Sequence, residues 1–168
     1  WATVGRRWTP WSGGWHEGCN LVLHPGPRQG AAPEEGPGRF GEGKWNAPGG
    51  KIRTLESPER AAEREVREET GLEVKALRNV GLLTFQEEGG REFSVHVFLA
   101  EQFSGQLQEG AEGALQWFPT SALPYGEMWE DDRIWLPRVL SGGRVRGRFR
   151  FTRGFRKMID HHLEGGQE

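Results

Sequence analysis

Only one cysteine, one tyrosine and two methionines occur in the 168 residues. Because Cys19 is alone, no disulfide can form within the chain, and the cytoplasm, a reducing compartment, is the expected setting. Charge of one sign is lacking too. Twenty-two Lys+Arg against 24 Asp+Glu leave a formal net charge of −2, which excludes a protein held to duplex nucleic acid by its overall charge. Long hydrophobic runs are missing. Stretches such as Val97–Ala100 are far short of the roughly 20 residues that cross a bilayer, so no membrane span is expected. A hydrophobic share of 35% and a mean hydropathy of −0.72 fit a water-soluble chain with room for one domain.

In excess are 26 Gly, 10 Pro and 8 Trp, and five of the Pro and four of the Trp fall in residues 1–38. That segment has no sustained period of 2 or 3.6. Its one apolar run, Leu21-Val22-Leu23, is followed by Pro25, Pro27, Pro33 and Pro37. So little apolar surface does not offset the entropy of ordering, and 1–38 is expected to be a poorly ordered extension holding at most a degraded first strand at 20–24. Trp1 in place of an initiator Met suggests a fragment or a processed product. Arg6 and Arg7 before the first acid, Glu17, suit an organelle transit peptide, but four Trp, scarce Ser and no amphipathic helix argue against one. An extension or a misassigned reading frame is preferred.

Order is expected from residue 39 to 160, with 161–168 a tail. Ser57-Pro58 is an N-cap followed by a first-turn proline, and Gly71 suits the left-handed residue that ends a helix. Ala62 and Val66 give that helix a narrow apolar seam. Val80–Phe85 and Phe93–Ala100 read as strands joined at Glu87-Glu88-Gly89-Gly90, and Leu115–Phe118 as a short strand. A second helix is predicted over Asp131–Leu140, weakened at Pro137. Across Arg144–Phe151, arginines at even positions alternate with Val145, Phe149 and Phe151, a half-buried strand by period. Strands before and after helices imply α/β or α+β layers.

Within the first helix Glu65, Glu68 and Glu69 stand at i, i+3 and i+4, on one arc. Three carboxylates there repel one another unless a cation sits among them. Mg²⁺ takes oxygen ligands of this kind and shares its shell with water and phosphates. A solvated acidic face, paired with Arg60, Arg64 and Arg67, explains the spacing equally well. The flanks favour the cation: Gly49-Gly50 lets backbone approach a phosphate or metal, Glu56 follows, and Gly71 closes the turn.

These residues resemble the Nudix hydrolase box, G-x5-E-x7-R-E-U-x-E-E-x-G-U with U a bulky aliphatic. Gly50, Glu56, Arg64, Glu65, Val66, Glu68, Glu69, Gly71 and Leu72 fill every specified position. The resemblance implies a Nudix-type α/β/α sandwich around a mixed β-sheet. It also implies hydrolysis of a nucleoside diphosphate linked to another group, with Mg²⁺ or alternatively Mn²⁺.

Phe40–Asn46, Val95-His96-Val97-Phe98, Trp117-Phe118 and Met128-Trp129-Glu130-Asp131-Asp132 with Trp135 resemble the MutT-homologue branch. That likeness implies conversion of oxidised purine nucleoside triphosphates, of the 8-oxo-dGTP and 2-oxo-dATP type, to monophosphate and pyrophosphate. It implies metal ligands at the Gly49 carbonyl, Glu65, Glu68, Glu69 and Glu112. The same three helix glutamates would be catalytic, with Glu65 or Glu69 taking the proton. It implies substrate contacts at Asn46, Pro48, Gly49, Gly50, Lys51, Trp129, Glu130, Asp131 and Asp132. The partner is then a small-molecule nucleotide substrate, with no duplex nucleic acid or membrane, and the chain is expected to be a monomer. Alternative substrates are ADP-ribose, a dinucleoside polyphosphate or an alkylated purine nucleotide. The alternative class is a nucleotide-binding domain without turnover.

The chemistry of the base fits these residues. Oxidation at C8 of guanine turns the N7 acceptor into an N–H donor, which a carboxylate accepts. Two neighbouring acids such as Asp131 and Asp132 can hold one proton between them. Trp129 is a flat stacking surface and Asn46 both donates and accepts. Plainer roles stand beside these: Asp131-Asp132 as a helix cap, Trp129 and Trp135 as core, Asn46 as a turn residue, Glu112 as a loop acid. The arginines at 144, 146, 148 and 150 read as a solvated strand face, because no aromatic interleaves with them on that side. Departures from the branch lie in the missing first strand, the Pro/Gly/Glu stretch at Pro33–Gly38, Asn46-Ala47-Pro48, and Glu87 where an apolar residue is expected.

Overall fold

The structure is a computed structural model that describes the backbone of 21–23 and, with side chains, residues 44–106, 108, 117–118 and 120–164. Helix α1 (Pro58–Thr70) begins and ends where its caps require. Ser57 Oγ accepts the Arg60 N–H at 3.3 Å, and Gly71, at φ 73°, donates its N–H to the Arg67 carbonyl at 3.0 Å. Ala62 and Val66 are buried, as their seam predicts. Thr70 Oγ1 donates to the Val66 carbonyl at 2.6 Å and accepts the Leu72 N–H at 3.1 Å, turning the chain into the sheet.

Five strands, β1 (Leu21–Leu23), β2 (Glu73–Glu87), β3 (Glu92–Ser104), β4 (Val145–Phe151) and β5 (Met158–Leu163), form one mixed sheet in the order β1-β3-β2-β4-β5. β2 (Glu73–Glu87) and β3 (Glu92–Ser104) are the expected hairpin, longer than their apolar centres, with a register shift between Asn79 and Gly81. β4 (Val145–Phe151) runs parallel to β2, and α2 (Asp132–Leu140) precedes it in the connection. Gly81 is required at the β2–β4 contact, because a Cβ there would stand 2.4 Å from Val145 Cγ2. Alternation along β4 holds, with Val145, Phe149 and Phe151 buried and Arg146, Arg148 and Arg150 exposed. Phe85 stacks on Phe93 at 5.6 Å and on Phe149 at 5.5 Å, tying three strands through one aromatic row. α1 packs on β2 and β3, and α2 on β4 through buried Trp135, Leu136 and Val139. The class is α/β.

Three expectations change. Leu21–Leu23 forms β1, antiparallel to Phe98–Ala100 at the sheet edge, so a short first strand is present. The rest of 1–38 lies outside the described residues. β5 (Met158–Leu163) pairs with β4 and carries the sheet past the boundary at 160. No apolar alternation announces it, since its four central residues are all exposed. Of the strand expected over Leu115–Phe118, Leu115 and Gln116 lie outside the described residues, and Trp117 and Phe118 are not in a strand. They pack as rings, Trp117 on Phe103 at 5.0 Å and Phe118 edge-on to Trp45 at 4.8 Å. Among the described residues, no helix is long and apolar enough to cross a membrane.

Candidate active site

Arg64, one residue before the first of the three glutamates, organises the carboxylate helix. Its Nε and Nη2 donate to Glu56 at 2.8 and 2.9 Å, and Nη2 also donates to the Lys51 carbonyl at 3.0 Å. Nη1 donates to Glu65 at 2.5 Å and to Glu68 at 3.2 Å. A planar fork with five donors is suited to such a hub, whereas a lysine is not. The guanidinium, helped by the Arg53 backbone N–H at 2.9 Å, holds Glu56 down to a pKa of about 2. The hydrogen bonds it donates to Glu56 in turn keep Arg64 firmly protonated. Glu56 therefore braces the loop through Arg64.

The loop and helix fit closely. A Cβ on Gly50 would stand 2.3 Å from Glu65 Oε1, so only glycine lets that carboxylate lie over the loop. Gly49 donates its N–H to Glu69 Oε2 at 3.3 Å. Arg53 Nη2 reaches Glu68 at 3.4 Å. Among the described residues, no three acidic, His or Cys side chains converge on a common metal position. The helix brings Glu65, Glu68 and Glu69 to one side, where Glu65 and Glu68 share Arg64 Nη1 and Glu69 accepts from Gly49. The donor set, all hard oxygen and set against a glycine loop, suits a divalent cation. Glu112 lies outside the described residues.

A second cluster is zipped together from segments far apart in the chain. Trp45 N–H donates to the Glu127 carbonyl at 2.8 Å, and its indole N–H to the Glu127 carboxylate at 3.1 Å. Asn46 Oδ1 accepts the Trp129 indole N–H at 2.8 Å. Because an indole N–H only donates, this fixes the amide with its NH2 directed elsewhere. Asp132 accepts the Trp129 backbone N–H, and Asp131 accepts the Trp135 indole N–H, both at 3.0 Å. Both acids are buried, at 1% and 4% exposure, and Asp131 makes no side-chain cap to α2. Their described hydrogen bonds therefore organise the turn and anchor Trp135. Trp129 is itself only 6% exposed, with Lys44 Nζ 5.4 Å above its ring and donating to the Met128 carbonyl at 3.1 Å. Sequence reasoning gave Lys44 no role, although its place beside Trp45-Asn46 was visible. Glu130 accepts the Met158 N–H at 2.9 Å, tying the turn to β5. Pro48 is buried, and Lys51 is exposed, with its carbonyl taken by Arg64.

Glu87, out of place as an apolar residue, is buried with its charge balanced. It accepts the Arg91 Nε–H at 3.0 Å and the Gly154 N–H, and these donors lower its pKa.

The NUDIX domain family matches residues 29–139. The chain is 40% identical to the oxidized purine nucleoside triphosphate hydrolase of Danio rerio, over 74% of this chain and 80% of that one. It is 39% identical to the protein of the same name from Mus musculus, over 67% and 72%. Among solved structures, a MutT protein from Bacillus halodurans superposes with a TM-score of 0.68 at 27% identity, covering 86% of this chain and 90% of that one. A filled box, folded so that Arg64 gathers its acids beside a glycine loop, agrees with these matches: the chain belongs to the Nudix hydrolase family.

Proposed function

We propose that this chain hydrolyses oxidised purine nucleoside triphosphates, of the 8-oxo-dGTP and 2-oxo-dATP type, to the monophosphate and pyrophosphate. The observation that carries the reading is the seating of Glu65 against Gly50, where any side chain would displace the carboxylate. Support for the substrate comes from two relatives named for oxidized purine nucleoside triphosphates and from the acid pair, amide and indole gathered at 46 and 129–132.

Glu65, Glu68, Glu69, the Gly49 carbonyl and Glu112 would hold Mg²⁺, or Mn²⁺ in its place. When bound, such an ion neutralises phosphate charge and acidifies water. Arg64 orients Glu65 and Glu68 through its Nη1, and Glu65 or Glu69 accepts the proton of the attacking water. The water oxygen bonds to phosphorus as the bond to the departing phosphate oxygen breaks. At the base, the Asn46 NH2 donates to a ring or exocyclic acceptor, since its Oδ1 is occupied by Trp129. Asp131 and Asp132, held by an indole and a backbone N–H, would meet the oxidised edge of the base.

Product analysis, reading monophosphate and pyrophosphate from 8-oxo-dGTP, 2-oxo-dATP and unmodified dGTP and AMP from ADP-ribose, tests this reading. Preference for the oxidised purines, lost in Glu69→Gln, is the expected result. Full activity of Glu69→Gln, or ADP-ribose as the best substrate, refutes it.

A further inference from the structure

The sheet face opposite the buried aromatic row carries a feature that the catalytic reading does not use. β4 presents Arg146 and Arg148 there, and neither forms an ion pair among the described residues, whereas Arg150 on the same face is neutralised by Asp160. Residues 133–159 hold nine Lys+Arg and no Asp or Glu, so the strand has no acid of its own.

The ladder register decides what surrounds these cations. Arg146 stands beside Leu82, and Leu82 beside His96. Arg148 stands between Thr84 on β2 and His162 on β5, and Thr84 shares a hydrogen bond of 3.1 Å with Ser94. Leu82, Thr84, Arg146, Arg148, His162 and Glu164 line an open groove of about 470 Å³. Among the described residues, Glu164 is the one carboxylate that borders it, leaving one guanidinium in excess.

Sequence alone argued for a solvated face, because no ring interleaved with the arginines. β5 changes that by setting the exposed His162 imidazole next to Arg148, with His96 on β3 across the same face. From this juxtaposition of two arginines that form no ion pair among the described residues, flanking imidazoles and an apolar floor at Leu82, we propose that this sheet face binds single-stranded nucleic acid. Same-face residues of a strand are spaced at about 6.7 Å, so Arg146 and Arg148 form a line of charge suited to a chain of phosphodiesters. Exposed bases stack on imidazole as they do on other rings, which favours single strands over duplex. The groove shares no residue with the carboxylate helix, so the two sites are independent.

Fluorescence anisotropy of the full chain with a labelled single strand of about ten nucleotides tests this, read at about 50 and 200 mM salt. Affinity is expected to fall with salt at a log–log slope of about −1.4, for two phosphates neutralised. Arg146→Gln with Arg148→Gln is expected to weaken binding at least roughly tenfold and flatten the slope. His162→Ala is expected to weaken binding with the slope unchanged. Melting curves identical to the parent show that these exposed-site variants fold, and nucleotide hydrolysis stays at the parent rate. No binding at the lower salt, equal affinity in the double arginine variant, or tighter binding of a matched duplex overturns the proposal.

Discussion

Gly50→Ala separates the position of a catalytic group from the stability of the fold. The added methyl would stand 2.3 Å from Glu65 Oε1, 2.4 Å from its Cδ and 2.6 Å from Oε2, whereas ordinary contact begins at 3.4 Å. The carboxylate must therefore retreat by about 1 Å, a displacement that costs a reaction on the order of 10²-fold when the group is catalytic. That is about 2.7 kcal/mol on the barrier. The fold loses little, because the atoms displaced are the tip of a flexible side chain. Arg64, released from Glu65, keeps Glu56, Glu68 and the Lys51 carbonyl. Loss of one partly exposed pair costs at most about 1 kcal/mol, or a Tm shift of about 2–4 °C. Steady-state kinetics on the oxidised nucleotide, beside a thermal melt, is the assay. The expected outcome is kcat down roughly 10²-fold with KM little changed and Tm nearly intact. A variant within a few-fold of full rate would show that the seating of Glu65 does not matter to the chemistry.

Leu55 is fully exposed, at 103%, and held at φ 65°, so Leu55→Gly relieves left-handed strain without losing a contact. A net gain of about 0.5–1 kcal/mol is expected in urea melts, and a loss there would contradict the strain assignment. Glu56 titrates near 2 in the folded chain against an ordinary 4.5, so its stabilisation is complete above pH 4.5 and drains away as pH falls toward 2. Glu56→Gln should accordingly flatten the decline of stability between those pH values, and a decline as steep as the parent's would refute the Arg64 brace. Asp131→Ala leaves the buried Trp135 indole N–H without its 3.0 Å acceptor. It should cost about 1–3 kcal/mol by denaturant unfolding, beyond any effect on substrate.

The linear order of residues was enough to specify whatever depends on near neighbours. Ser57, Pro58 and Gly71 bound α1 because capping is settled within one turn, and the i, i+3, i+4 glutamates share a side because a helix repeats every 3.6 residues. β2, β3 and β4 were legible from apolar content and alternation. Tertiary structure alone decided the rest. β5 was hidden because a strand paired along one edge and exposed on both faces carries no hydrophobic period. Likewise, each glutamate's partner follows from where the Gly49–Arg53 loop lies against α1. Lys44 meets Trp129, and Asn46 its indole N–H, only through contacts that span more than eighty residues. Spacing reports direction along an element. Which groups face one another across a gap depends on how the elements pack.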